Sequence, residues 1–269
     1  MDILTAKNIQ AGYNRGLVID QLAVNFKTGK VTSLIGPNGC GKSTLLKSLA
    51  RILPQAKGEI FLKERPIQEY ANKELAKQMT MLAQNSEGNL GITVEDLVSY
   101  GRFPYQKPFQ GLTKADQEKI DWALEVTDIV YIKERPLADL SGGQRQRAWI
   151  AMALAQDTEV LLLDEPTTFL DPAHQLEVLD LLQSINRDSG KTIIMSIHDM
   201  NLASRFSDEI LGMKAGKILV QGTPEEVLTP KWFRTLFEIE AEIVKDPHSM
   251  RPLLLSYDLL SKGGAGDEK

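Results

Sequence analysis

The sequence predicts an α/β fold, a sheet of buried strands with helices packed on it. Two observations predict this. Three short apolar runs, at 31–35, 160–163 and 192–197, suit fully buried strands and are too short for helices. Between the first run and a helical stretch lies a glycine-rich turn, at 36–44, of the kind that joins strand to helix in such folds.

That turn reads Gly36-Pro37-Asn38-Gly39-Cys40-Gly41-Lys42-Ser43-Thr44 and fits G-x-x-x-x-G-K-[ST]; an apolar run from Leu45 to Leu53 follows it. A triphosphate must lie against bare main chain, so side chains have to be absent where it touches. Gly36, Gly39 and Gly41 allow the tight path and the close approach. The helix that follows offers unbonded first amides and a positive dipole end to the phosphates. Lys42 adds a mobile cation for the β- and γ-phosphate oxygens, and the Ser43 hydroxyl is a hard oxygen ligand for Mg2+.

Composition narrows the rest. The 269 residues suffice for one large domain or a core with an inserted subdomain. Hydrophobic residues make up 42% and charged residues 25%, an ordinary soluble balance. A net charge of -5 gives no sign of the phosphate-backbone attraction that dominates nucleic-acid binding, so no nucleic-acid partner is expected. No apolar run approaches the roughly 20 residues that cross a bilayer, and Met1-Asp2-Ile3-Leu4 has no signal-peptide character. The expected location is therefore cytoplasmic. Cys40 is the sole cysteine, which excludes an internal disulfide.

Ahead of the loop, 5–10 and 17–26 read as strands with Asn14-Arg15-Gly16 as a turn. Tyr13 has two readings: an aromatic placed to stack on a purine, or a half-buried strand residue. After the loop helix, 58–62 and 80–83 read as strands. The second ends at Gln84, either a polar amide at the ligand-binding edge of the sheet or a surface glutamine. Strand-like runs then stop. Thr93 with Asp96 is a capping box, 101–108 is a loop with exposed aromatics, and 113–127 has helical spacing with Ile120, Leu124 and Val126 on its apolar face. A helical insertion with a surface suited to a protein partner is expected over 85–139.

Leu140-Ser141-Gly142-Gly143-Gln144 puts small residues and a hydroxyl ahead of the apolar helix 148–155, as an ordinary N-cap or as a second phosphate site. Strand 160–163 ends in Asp164-Glu165, two acids that are costly at a buried strand tip unless they act. Strand alternation would point them to opposite faces, one toward Mg2+ and the other toward a water. Pro166 stops the strand, and helix 172–186 carries Leu176, Leu179, Leu182 and Ile185 on one stripe. Strand 192–197 ends at His198, in register with Gln84 and Asp164-Glu165, which favours a functional histidine over a structural one. Runs 210–213 and 218–221 form a hairpin, 238–244 and 252–257 a second with an acidic outer face, and 262–269 should be disordered. His248 beside Asp246 reads as a solvated turn rather than a metal site.

In this order the pieces resemble the ATPase subunits of ABC transporters over nearly the whole chain. The resemblance implies a P-loop NTPase, RecA-like core with an antiparallel β subdomain (1–84 and 156–230). It also implies an inserted α-helical signature subdomain (85–155), a C-terminal extension (231–269), and ATP and Mg2+ as ligands. By it Tyr13 stacks on adenine, and Gly36, Pro37, Asn38, Gly39, Cys40, Gly41, Lys42, Ser43 and Thr44 hold the phosphates. Ser43, Gln84 and Asp164 serve the metal. Glu165 polarises the attacking water, and Gln84, Lys42 and His198 are the other catalytic residues. Ser141, Gly142, Gly143 and Gln144 are the signature, which binds the γ-phosphate of ATP held by a second copy in a head-to-tail dimer. That explains two phosphate-suited helix starts in one chain. Asp171 lies in the loop that crosses the interface. The partners implied are a second copy, integral-membrane permease subunits and, indirectly, a substrate-binding protein, with the chain held peripherally on the cytoplasmic face of the membrane.

Residues 92–104, Thr167 to Asp171 with His174-Gln175-Leu176-Glu177, and the extended tail resemble the ATPases of bacterial iron–siderophore importers. Cobalamin and haem importers are near relatives. Soluble ABC proteins form the rival class. A single cassette speaks against a ribosome-associated factor, and an insertion without long heptads speaks against a DNA-repair clamp, which leaves a cluster-assembly scaffold. Two positions depart from the family pattern: Cys40 stands where Ser or Ala is frequent, and Thr167-Thr168-Phe169-Leu170 stands in place of a frequent Ser-Ala-Leu form. Lys42 and a helix N-terminus both lower a thiol pKa. Cys40 is then either a reactive thiol that Mg-ATP protects or a small residue that merely fits.

Overall fold

Strands β1 (Asp2–Tyr13) and β2 (Gly16–Lys27) pair antiparallel, and the burial of Leu22, Val24 and Phe26 follows a period of two. Alternation is only partial along β2 because Gln21 takes a left-handed φ of 50°, which shifts the phase and turns Ile19 inward as well. The computed structural model describes residues 1–14, 16–83, 91–107 and 110–260, so Arg15 of the expected turn and Pro108 of the expected loop lie outside the described residues. β3 (Val31–Ile35) leads through the glycine turn into α1 (Lys42–Leu49). This helix is shorter than the apolar run suggests. Arg51 adopts φ 56°, the amides of Ile52 and Leu53 both donate to the Lys47 carbonyl, and Pro54 follows.

β4 (Lys57–Leu62) joins the other edge of β1, and the two-residue β5 (Arg65–Pro66) joins β4, giving an antiparallel sheet in the order β2-β1-β4-β5. α2 (Asn72–Ala76) feeds β6 (Met79–Leu82), which runs toward Gln84; Gln84 itself and 85–90 lie outside the described residues. α3 (Val94–Tyr100) and α4 (Lys114–Val126) both start in capping boxes, Thr93 with Asp96 and Thr113 with Asp116. α5 (Gly142–Ala155) packs against both. In the loop after α3, Phe103 is exposed and stacks on Tyr100 at 5.0 Å. Tyr105, expected to be exposed, is half-buried, because the Arg102 guanidinium lies 3.8 Å from its ring centroid.

β7 (Val160–Leu163), α6 (Pro172–Ser189), β8 (Thr192–Ser196), α7 (Met200–Phe206), β9 (Glu209–Lys214) and β10 (Lys217–Gly222) complete a second sheet and its cover. Its order is β10-β9-β3-β8-β7-β6, parallel except for β10 on β9. Every residue of β3, β7 and β8 is buried because both faces are covered. Along β7, Leu161 and Leu163 join the core under the helices, while Val160 and Leu162 join the core under the antiparallel sheet. β3, β6, β7 and β8 all end at one edge, the carboxyl edge where open α/β sheets bind ligands.

Two short helices, α8 (Pro224–Val227) and α9 (Pro230–Phe237), lead to the hairpin of β11 (Ile239–Lys245) and β12 (Pro252–Leu259). It packs on α7 and α9, and Asn201 bonds both backbone groups of Leu254. The hairpin's acids are less available than the sequence suggests. Glu238 pairs with Lys214 and Glu240 with Arg234, so of the three only Glu242 has no ion pair among the described residues. His248 is exposed in the turn, its amide donating to Asp246 Oδ1 at 3.1 Å. Residues 261–269, which include the stretch expected to be disordered, lie outside the described residues.

The insertion is held by a buried pair. Arg102 Nε donates to Asp116 Oδ1 at 2.9 Å, and the guanidinium also reaches the Ala155 carbonyl at 2.7 Å. Burial works to raise the Asp116 carboxyl, but the Thr113 hydroxyl and amide and the Arg102 guanidinium outweigh it and hold its pKa below the ordinary value. A depressed carboxyl adds stability above its unfolded pKa and loses it as pH falls through the folded one. Asp116→Ala should therefore cost about 3 kcal/mol at pH 7. Urea unfolding of both proteins should show that gap narrowing once pH drops below about 4.

Candidate active site

At the carboxyl edge β3 opens into the glycine turn. Gly36 has φ 146°, and a Cβ there would overlap the Met213 carbonyl oxygen, so no side chain is admitted. Gly39 has φ 75° and nothing within 4 Å of the Cβ it lacks, so the turn is open on that side. α1 starts with Gly41 as its N-cap, and no side chain caps its first amides. Lys42 is buried, with Nζ donating to the Gly36 carbonyl at 2.8 Å and the Pro37 carbonyl at 3.3 Å. Uncapped amides and a tethered amine at a helix start are what a polyphosphate requires. Pro37 is half-buried and Asn38 exposed on the rim, whereas Thr44 is buried within α1.

The paired acids part at the tip of β7. Asp164 is buried, and its Oδ1 accepts from Ser43 Oγ at 3.0 Å and from Ser196 Oγ at 2.8 Å. Glu165 takes φ 54°, so a left-handed turn separates the two carboxylates, not the strand alternation expected from sequence. The Glu165 amide donates to Ser196 Oγ at 2.8 Å. Its Oε1 lies 2.7 Å from His198 Nε2, and its Oε2 accepts from Thr168 Oγ1 at 2.9 Å. Polar contacts thus join Ser43, Asp164, Ser196 and the Glu165 amide, and the Glu165 carboxylate reaches on to His198. Sequence reasoning missed Ser196 and Thr168. A hydroxyl at the end of a wholly buried strand, two residues before His198, was the available signal for Ser196. Thr168 carries no such signal, since only the turn at Glu165 brings it near.

Tyr13 is 49% exposed at the end of β1, opposite Gly16 in the ladder, and is accessible as a stacking surface. Gln84 lies outside the described residues. Ser141, Gly142, Gly143 and Gln144 start α5 in a capping box: Ser141 Oγ accepts the Gln144 amide at 3.3 Å, and Gln144 Oε1 accepts the Ser141 amide at 3.1 Å. Ser141 and Gly142 are exposed, and among the described residues no hydrogen bond or ion pair joins 141–144 to 36–44. Asp171 caps α6.

Among the described residues no group of three or more His, Cys, Asp or Glu is placed to hold a metal. At the glycine turn the Asp164 carboxylate meets the Ser43 hydroxyl. That donor set fits Mg2+, which takes most of its positions from waters and substrate phosphates, and does not fit a structural zinc.

A profile of the ABC transporter family matches residues 19–168, which reach from ahead of the glycine turn to just past the paired acids. The chain belongs to the ABC transporter family. The cassette is 49% identical over 260 residues to the iron(3+)-hydroxamate import ATP-binding protein FhuC of Bacillus subtilis (strain 168), covering 97% of each chain. It is 47% identical over 257 residues to the achromobactin transport ATP-binding protein CbrD of Dickeya dadantii (strain 3937), covering 96% of each. The ATP-binding cassette MJ0796, solved as a dimer in a post-hydrolysis state bound to ADP and Pi, matches with a TM-score of 0.71 at 26% identity, over 82% of this chain and 98% of that one. As an ABC cassette, the chain is an ATP-binding ATP hydrolase.

Of the two readings of Cys40, burial favours the second. The residue is 4% exposed and packs into the core beneath the antiparallel sheet. Burial pushes its thiol above the ordinary value, and Lys42, whose Nζ lies 3.9 Å from Sγ, opposes this without reversing it. The thiol is a small group that fits, not an activated nucleophile. Iodoacetamide at pH 7.5 should label Cys40 at least about tenfold more slowly than a free cysteine, and unfolding in urea should abolish the protection, as mass spectrometry would read.

Proposed function

We propose that this ABC cassette hydrolyses Mg-ATP within a head-to-tail dimer and thereby drives import of iron–siderophore complexes through a membrane permease. Adenine rests on Tyr13, and the triphosphate lies along Gly36–Thr44. Lys42 gives up the loop carbonyls to meet the β- and γ-phosphate oxygens. Ser43 and Asp164, with Gln84, are the residues that would hold Mg2+, which would offset charge on the phosphates. Glu165 orients the attacking water, and His198 and Thr168 fix its carboxylate from both sides. The water oxygen bonds to the γ-phosphorus, the bond to the β–γ bridging oxygen breaks, and ADP leaves with the electron pair. The water proton passes to Glu165 or to the departing phosphate. Most of the acceleration comes from positioning and charge stabilisation.

The observation that carries this reading is the polar chain from Ser43 to His198. It ties a metal-ligand hydroxyl, a buried carboxylate, a candidate base and a histidine into one object at the mouth of the glycine turn. Among the described residues the signature, Ser141 to Gln144, has no hydrogen bond or ion pair to the glycine turn, which supports its use by a second copy; MJ0796 forms a dimer. ABC cassettes work as dimers with membrane permease components. No described helix is long and apolar enough to cross a membrane, and the stacked Tyr100 and Phe103 on the insertion, read as the signature subdomain 85–155, offer the permease an aromatic face. The iron–siderophore cargo is supported by relatives named for iron(3+)-hydroxamate import and achromobactin transport.

Glu165→Gln should lower ATP turnover by at least about 100-fold while leaving ATP bound, and size-exclusion chromatography should show the ATP-bound dimer accumulating. Turnover near wild type would refute the role given to Glu165. Deleting the gene should abolish uptake of radio-iron supplied as a ferric hydroxamate; undiminished uptake would remove the cargo assignment and leave the ATPase reading intact.

A further inference from the structure

We propose that His174 is a positioning residue for the signature turn, locking the loop at 167–171 and the start of α5 into one piece. The proposal rests on the reading above that Ser141 to Gln144 acts on ATP held by a second copy. Gly143 supplies the first argument. It sits in the first turn of α5 without a positive φ, so its backbone does not demand glycine, and glycine weakens a helix there. What demands glycine is His174. A Cβ on Gly143 would lie 2.5 Å from His174 Cδ2, 3.0 Å from Cγ and 3.1 Å from Nε2. The imidazole lies across the bare Cα with no room for a methyl group.

The ring is also fixed from its other side. Asp171 Oδ2 holds Nδ1 at 2.7 Å, and Asp171 Oδ1 accepts the His174 amide at 3.0 Å. Asp171 is thus at once the cap of α6 and the clamp on the ring that presses α5. One turn further along both helices, Arg147 of α5 pairs with Glu177 of α6 at 2.8 Å. Two contacts in line, one by shape and one by charge, prevent α5 from sliding along α6. The signature amides therefore keep one orientation relative to the loop that ends at Asp171. A surface ordered before two copies meet loses less conformational freedom when they close. Among the described residues no hydrogen bond or ion pair joins these groups to residues 36–44, so removing the ring should leave nucleotide binding within the same chain intact.

His174→Ala should lower saturating ATP turnover about tenfold, while a fluorescent ATP analogue binds the single chain within about twofold of wild type and the unfolding midpoint stays close. His174→Asn, which keeps a donor toward Asp171, should recover part of the loss. Gly143→Ala should impair turnover on its own, and adding His174→Ala should recover part of it, because the new methyl then has room. A His174→Ala turnover equal to wild type would overturn the proposal. So would a loss that tracks weaker analogue binding or a fallen midpoint, or strictly additive losses at the two positions. A wild-type chain with no magnesium-dependent ATPase would instead sink the functional reading, and this inference with it.

Discussion

The molecule depends on one buried carboxylate. Asp164 is 2% exposed, and an unpartnered charge there would cost several kcal/mol. Its Oδ1 takes hydroxyls from Ser43 at the start of α1 and from Ser196 at the end of β8. Three neighbouring strands are thereby tied at their tips, because α1 follows β3 and Asp164 follows β7. The same Ser196 oxygen accepts the Glu165 amide, which helps to hold that residue in its left-handed turn. The arrangement that keeps the acid satisfied also aims the next carboxylate at His198.

A site assembled from strand ends needs strands that cannot move. The parallel sheet is held by two cores, one beneath each face, and successive residues of a strand feed them alternately. Large side chains such as Phe26, Leu45 and Leu46 are fully buried on one side, and Leu161, Ile193 and Leu179 are buried on the other. At close-packed density such interiors transmit displacement instead of absorbing it. The glycine turn is the exception by design. It lies at the edge, and Gly39 has nothing within 4 Å of the Cβ it lacks.

The chain carries two helix starts suited to phosphate, and they are finished differently. α1 has no side-chain cap, which leaves its amides to a ligand. α5 is capped by its own Ser141 and Gln144, exposes Ser141 and Gly142 at its start, and meets α6 at His174 and Arg147. The first is a holder and the second a presented surface. This difference is one of finish, since one helix start is uncapped and the other is closed by its own side chains.

Much of this was legible in sequence because it depends on local rules. Glycines at three positions of one turn, wholly apolar strands, the capping box at Thr93, the N-cap at Ser141, and the acids closing β7 each follow from the conformation or solvation of a few adjacent residues. Tertiary structure decided what depends on residues far apart in the chain. Ser196 became the bridge between the acids because β8 lies beside both β3 and β7. Burial, which no neighbour in sequence reports, made Cys40 a packing group rather than an activated thiol. A Cβ on Gly143 would meet a ring 31 residues away, and only the approach of α6 to α5 could reveal that.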